Sequence, residues 1–247
     1  MNRLDISRQQ VDQFFEDHGT KAWEYKPLPD GNPSMQLQWI LHQSHCPYLK
    51  LMDLDIPYKD MLAEAQGLKS KFVSHRSEHD DHLGWKSLAI HGISSEKTNT
   101  AQAYGLDPNE VSYDWTDIQD QCPITVSYFK TLFPYIHYQR LRFMLVEPGG
   151  FITPHSDSPR PYLGSAINIS LNNPPGCTMM TTEGPVPFED DGTVLFFNNY
   201  YQHAVWNRSD TDRFHIIVHG SMNVHKMTSL IVNSYKIAMK ADGMTVF

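Results

Sequence analysis

Residues 140–157 read RLRFMLVEPGGFITPHSD, and two features of that run bear on the fold. Its first half alternates: Leu141, Phe143 and Leu145 fall on one face of a strand, with Arg140, Arg142 and Met144 on the other. Its second half runs into a turn, FITPHSDSPRP over 151–161, that carries His155 and Asp157 one residue apart. Turns favour Asp and Ser for their own backbone hydrogen bonds, so an H-x-D alone says almost nothing about chemistry. Its meaning depends on what the rest of the chain supplies.

Working outward, the texture stays β-rich. SAINISLNN (165–173), CTMMTTEG (177–184), GTVLFFNN (192–199), HAVWN (203–207) and RFHIIVHG (213–220) are short and separated by turn residues at regular intervals. That pattern belongs to an antiparallel sandwich or barrel. In RFHIIVHG, Phe214, Ile216 and Val218 make an apolar face, while Arg213, His215, Ile217 and His219 share the other. A face of arginine and histidine backed by hydrocarbon either meets solvent or lines a polar cavity. Helical spacing marks residues 6–18 and 59–73 near the start and about 227–240 near the end, whereas 94–110 reads as an extended surface loop. The expected architecture is mainly β with flanking helices (α+β). Residues 1–120 form a helical and irregular region packed on the core, 121–225 the β core, and 226–247 a C-terminal helix and tail.

Bulk composition narrows the function classes. The chain has 247 residues, 40% hydrophobic and 19% charged, with a formal charge of −8, an ordinary folded composition. Such a balance speaks against a general nucleic-acid binder, which needs a basic footprint. Three scattered cysteines without a C-x-x-C suggest a reducing compartment and no disulfide framework. The N-terminal MNRLDISRQQVDQFFEDHG has no signal-like apolar core, and no run approaches the ~18 apolar residues of a membrane span. A cytoplasmic protein without membrane or nucleic-acid partners is expected.

His203 lies 46 residues beyond Asp157, and Arg213 ten beyond His203. Two histidines and a carboxylate in this arrangement suit one face of an octahedral Fe(II), leaving positions open for a cosubstrate and O2. Arg213 adds a permanently charged fork suited to a buried carboxylate.

The three segments RLRFMLVEPGGFITPHSD, FEDDGTVLFFNNYYQHAVWN and RFHIIV together resemble the aspartyl/asparaginyl β-hydroxylase-like branch of the Fe(II)/2-oxoglutarate-dependent dioxygenases. The resemblance spans Arg140 to Gly220, about a third of the chain. It implies a double-stranded β-helix (jelly-roll) with His155, Asp157 and His203 as iron ligands and Arg213 on the distal carboxylate of 2-oxoglutarate. It also implies hydroxylation of an aliphatic carbon, with succinate and CO2 as coproducts. Some members of that branch lack the carboxylate ligand; Asp157 is present here, which favours hydroxylation over halide-binding variants. The namesake enzyme carries an Arg-x-His pair on the strand after the first ligand. Here the corresponding residues are AIN (166–168), so Asn168 stands in the histidine's place and the arginine is missing.

Further candidates are weaker. Arg142 is suited to a carboxylate of substrate or cosubstrate or to a structural ion pair, and Arg160 to a substrate contact at the site's mouth or to solvent. The run HRSEHDDH (75–82) places His75, His79 and His82 at i, i+4 and i+7 with Asp80 and Asp81 nearby. It lacks the H-E-x-x-H arrangement and reads as a solvated or substrate-facing loop. The expected substrate is an amino acid, free or within a peptide or conjugate. Two other readings are a cupin-like metal-binding or regulatory protein without turnover, and a metalloenzyme on the same fold that needs no 2-oxoglutarate.

Overall fold

The computed structural model describes residues 3–75, 82–164, 166–189 and 192–244. The helices are α1 (Arg3–His18), α2 (Pro33–His42), α3 (Tyr58–Gly67), α4 (Pro123–Thr131) and α5 (Val224–Ala241). The strands are β1 (Tyr48–Leu51), β2 (Val73–Ser74), β3 (His82–Gly92), β4 (Asp114–Trp115), β5 (Tyr135–His155), β6 (Ala166–Ser170), β7 (Cys177–Thr181), β8 (Gly184–Pro185), β9 (Val194–Phe197), β10 (His203–Asn207) and β11 (Arg213–Met222).

Pairing, entirely antiparallel, divides β5 into two halves that serve two sheets. Residues 135–146 pair with β11, which continues to β6 and then β9. Residues 151–155 pair instead with β10, which continues to β7 and β8. Followed along the chain, the strands therefore alternate between two facing sheets, which is the double-stranded β-helix. The crossing is made at 147–150, where Gly149 has φ +70° and a Cβ on Gly150 would lie 2.7 Å from the carbonyl oxygens of Glu147 and Leu83. Only glycine fits so close a backbone approach.

The alternation in β5 and β11 sorts side chains as the sequence predicts. Leu141, Phe143, Leu145, Phe214, Ile216 and Val218 lie in the main core under α2, α3, α4 and α5, while their alternates face inward between the sheets. Helix α5 delivers Met227, Ile231, Tyr235 and Met239 to that core at four-residue spacing. The outer face of the second sheet is covered by α1, whose Phe14 packs on Met180 and Ala204. The three cysteines are buried and unpaired with one another.

The N-terminal 120 residues also supply strands. β1 extends the first sheet beyond β9, and β3 runs alongside β5 across both of its halves. Strand β3 has no clean alternation in HLGWKSLAIHG, because both of its faces are largely covered from Ser87 onward. The helix expected over 59–73 ends at Gly67, and the remaining residues form a 3-10 turn (Lys69–Lys71) and β2. Helices α2 and α4 are too short to declare themselves by periodicity, although each has proline in its first turn, and Asn32 caps α2 by accepting from the Met35 N–H.

Candidate active site

A cavity of about 460 Å³ lies between the two sheets, and the inward faces of β5, β6, β7, β10 and β11 line it. His155 ends β5 and His203 begins β10, directly opposite each other in the ladder. Asp157 follows in the turn, held where its N–H donates to the carbonyl of Asn199 at 3.0 Å. The NNYYQH corner that presents Asn199 and His203 is itself pinned. The Asn198 amide donates to the Cys46 carbonyl, and the Tyr201 hydroxyl donates to the His45 carbonyl.

The three side chains converge. His155 Nε2 is 3.8 Å and His203 Nε2 3.7 Å from the two Asp157 carboxylate oxygens, and all three ligand atoms lie within 4.8 Å of one another. Each imidazole is oriented through its other nitrogen. His155 Nδ1 donates to the Thr153 carbonyl at 2.8 Å and His203 Nδ1 to the Tyr201 carbonyl at 3.0 Å. A carbonyl only accepts, so both Nδ1 atoms carry the proton and both Nε2 lone pairs face Asp157. Burial, reinforced by the neighbouring His155, lowers the His203 pKa to about 4 against the opposing pull of Asp157. His203 thus stays neutral and ready to ligate. Two imidazole nitrogens and one carboxylate, with the acid side chain 49% exposed toward the mouth, fit an octahedral Fe(II) that keeps positions open.

Arg213 enters the same cavity from the start of β11, 2% exposed. Its NH1 donates to His215 Nδ1 at 3.0 Å, and its guanidinium lies 4.7 Å from the centre of the Phe188 ring. Its Nε and NH2 are buried without a partner. Burial lowers the Arg213 pKa, and burial with the neighbouring arginines drives that of His215 well down, so His215 is the neutral acceptor. An enclosed guanidinium with two unused donors and, among the described residues, no carboxylate beside it fits an anionic ligand. Val146, Met179, Leu195 and Val205 wall that end in hydrocarbon.

The other residues singled out in the sequence are distributed unevenly. Asn168 lines the cavity from β6, beside Ile217 of β11. Arg142 lines it from β5, its NH1 donating to the Thr98 carbonyl at 2.8 Å and its NH2 to His219 Nε2 at 3.2 Å. Arg160 is exposed in the loop after Asp157 and does not line the cavity. His79, Asp80 and Asp81 lie outside the described residues. His75 and His82 are not on a helix: they follow β2 and begin β3, both buried, and His75 lines the cavity against Trp85.

Three cavity elements were hidden in the sequence. The stretch 94–110, expected as surface loop, brings a buried Thr98 and the lining residues Asn99 and Thr100 to the mouth. Arg140 and Trp85 also line the wall, each with a buried side-chain N–H lacking a partner. The one available signal was the alternation that sets Arg140 on the face of Arg142 and Met144.

A jelly-roll with two histidines, a carboxylate and a buried arginine around one cavity has the build of a non-haem iron oxygenase. The sequence profile of the aspartyl/asparaginyl beta-hydroxylase family matches residues 57–221, and the chain belongs to that family. It is an Fe(II)- and 2-oxoglutarate-dependent hydroxylase. The match begins well before Arg140, so β3 and the 94–110 stretch are part of the family's domain.

Among solved structures, a prolyl-4-hydroxylase from Pseudomonas putida is similar over 76% of this chain and 98% of its own, at 16% identity and TM-score 0.42. An oxidoreductase of the 2OG-Fe(II) oxygenase family from Burkholderia pseudomallei is similar over 81% and 96%, at 14% identity and TM-score 0.43. A prolyl hydroxylase from Trichoplax adhaerens, in complex with a hypoxia inducible factor peptide fragment, is similar over 92% and 93%, at 12% identity and TM-score 0.38. No curated protein matches the chain. Among the described residues no helix is long and apolar enough to cross a membrane.

Proposed function

We propose that the chain hydroxylates an aliphatic carbon of an amino acid, free or carried in a peptide or conjugate. In this reading His155, Asp157 and His203 hold Fe(II), and Arg213 binds the distal carboxylate of 2-oxoglutarate. Bound Fe(II) would activate O2, the keto acid giving up two electrons as it is oxidised to succinate and CO2, so that one oxygen atom enters an unactivated C–H bond and the other enters succinate. The single observation that carries the reading is the buried, half-unpartnered Arg213 in the same cavity as the His–Asp–His cluster.

The chain's own residues position and exclude. The carbonyls of Thr153 and Tyr201 hold the two Nδ1 protons, which keeps both Nε2 atoms on the metal side. The backbone contact from Asp157 to Asn199 holds the carboxylate beside both rings. At depth, Arg213 pairs with the distal carboxylate while His215 fixes its guanidinium. Asn168 offers an amide to the cosubstrate from the adjoining strand. Hydrocarbon from Val146, Met179 and Val205 keeps bulk water from the enclosed half.

The test is turnover. Aerobic incubation with Fe(II), 2-oxoglutarate and an amino-acid and peptide panel is expected to release succinate in step with a substrate gain of one oxygen atom. His155→Ala is expected to abolish both. Succinate release that is absent in every case, or unchanged in His155→Ala, overturns the reading. Metal binding without any 2-oxoglutarate consumption would instead favour a binding or regulatory role.

A further inference from the structure

The described residues of the cavity lining carry more positive charge than iron and 2-oxoglutarate account for. Among the described residues its lining contains three guanidinium groups, Arg140, Arg142 and Arg213, and one carboxylate, Asp157. With Fe(II) and a doubly charged keto acid in place, five positive charges stand against three negative ones, leaving two positive charges in an enclosed space. Charge left unbalanced in such a space is costly, and the missing counter-charge is expected on the remaining occupant, the substrate.

The arginines occupy different places. Arg213 lies opposite Val146 and Arg142 opposite Ile217 in the β5–β11 ladder, so their Cα atoms stand roughly 13 Å apart, four residues of strand. Strand β5 approaches the bend at 147–150 from the mouth, which sets Arg213 deep and Arg140 and Arg142 outward. The electrostatic neighbours agree with this placement. Asp157 acts on Arg140 and Arg142, whereas Cys177 acts on Arg213. A five-carbon diacid spans only roughly 5 Å between its carboxyl carbons, four C–C bonds of ~1.5 Å in a zigzag. Pointing from the metal to Arg213, it leaves the outer pair for another ligand.

Arg142 is held ready for one. It is 4% exposed; Thr98 and His219 fix its two terminal nitrogens, and its Nε is buried with no partner. The Nε of Arg140, two residues away on the same face, is likewise buried without a partner. The Thr98 that anchors Arg142 is in turn tied to the framework, accepting from the Ser87 hydroxyl at 2.6 Å, with His75 Nδ1 at 2.9 Å from the same hydroxyl. Among the described residues Asp157 is the carboxylate that acts on this pair, and metal coordination would engage it.

We propose that Arg140 and Arg142 form a second anion subsite at the mouth, distinct from Arg213, and that it binds a carboxylate of the substrate. The inference rests on the functional reading above and narrows it: the substrate is an acid, anchored by a carboxylate close to the carbon that is oxidised. A neutral residue capped at both ends is excluded.

The test uses the full chain loaded anaerobically with Fe(II) and 2-oxoglutarate, so that Arg213 is occupied. N-acetyl-L-leucine and N-acetyl-L-glutamate are titrated by calorimetry beside their fully methylamide-capped counterparts. The free acids are expected to bind at least tenfold more tightly. Arg142→Met is expected to erase that preference while leaving 2-oxoglutarate affinity within threefold. Arg140→Gln, at a partly exposed position that spares the packing, is expected to reduce the preference threefold or more. Equal binding of free and capped probes, no binding of either, or a tenfold loss of 2-oxoglutarate affinity in Arg142→Met overturns the proposal. A chain that takes up neither Fe(II) nor 2-oxoglutarate contradicts the functional reading instead. The subsite is then decided on metal-free Arg213→Met, where free-acid binding must still depend on Arg142.

Discussion

The two faces of β5 and β11 do opposite work within one pair of strands. One face presents Leu141, Phe143, Leu145, Phe214, Ile216 and Val218 to a core closed by four helices; the other presents Arg140, Arg142, Arg213, His215 and His219 to a cavity. The first face gains stability from the water it sheds, at about 25 cal/mol per Å² of apolar surface. The second buries guanidinium donors that lack partners, and it is stabilised only when a ligand supplies the missing charge. Strand alternation sets the two side by side, so the stable face pins the backbone of the costly one.

The largest expected effect breaks the apolar face alone. Phe143 is fully buried, and Phe143→Ala leaves a cavity costing about 3–5 kcal/mol. Chemical denaturation should report that loss, while the folded fraction keeps its 2-oxoglutarate affinity. Arg213→Met should do the reverse. Removing an enclosed, incompletely paired charge is expected to leave the metal-free protein as stable as before or slightly more so. Affinity for 2-oxoglutarate should fall about 100-fold, or about 2.7 kcal/mol. A variant that loses stability and affinity together would merge the two faces into one structural role.

Acidification probes the polar face without mutation. Folding lowers the pKa of His203 to about 4 and drives that of His215 well below 6.5. Between those values and 6.5 the unfolded chain binds more protons than the folded one, so stability is full above pH 6.5 and falls as pH drops toward 4. His203 alone accounts for a loss of about 2 kcal/mol on going from pH 7 to 5, a Tm drop of about 4–8 °C in the metal-free protein, and His215 adds to it. Scanning calorimetry should find that drop reduced in His215→Gln. The smallest effect is expected at Asn168, where replacement by alanine removes one neutral amide from the wall. A loss of about 1 kcal/mol, or roughly fivefold in 2-oxoglutarate affinity, is anticipated.

How much of this was legible beforehand follows the same division. Alternation in RLRFMLV and RFHIIVHG identified both faces, because a strand's two-residue period is a local property. His155, Asp157, His203 and Arg213 stood out only as a set, because together they supply two histidines, a carboxylate and a following arginine, whereas an H-x-D in a turn says little alone. Strand β3 did not stand out, since coverage on both faces removes the alternation that would announce it. Thr98, Asn99 and Thr100 were invisible for another reason. A polar loop reads the same whether it meets bulk water or a cavity, and only the fold brings it to Arg142. In HRSEHDDH the polarity of the run hid that its two ends are buried: His75 follows β2 and His82 begins β3.

The central claim is that one cavity holds Fe(II) on His155, Asp157 and His203, and 2-oxoglutarate between that iron and Arg213. Its most direct test is an anaerobic titration of 2-oxoglutarate into the Fe(II)-loaded chain, followed by the visible metal-to-ligand charge-transfer absorption. The predicted result is a saturable band in the wild type, lost in His155→Ala and in His203→Ala, and shifted about 100-fold to higher concentration in Arg213→Met. A band of unchanged intensity and midpoint in all three variants would contradict it.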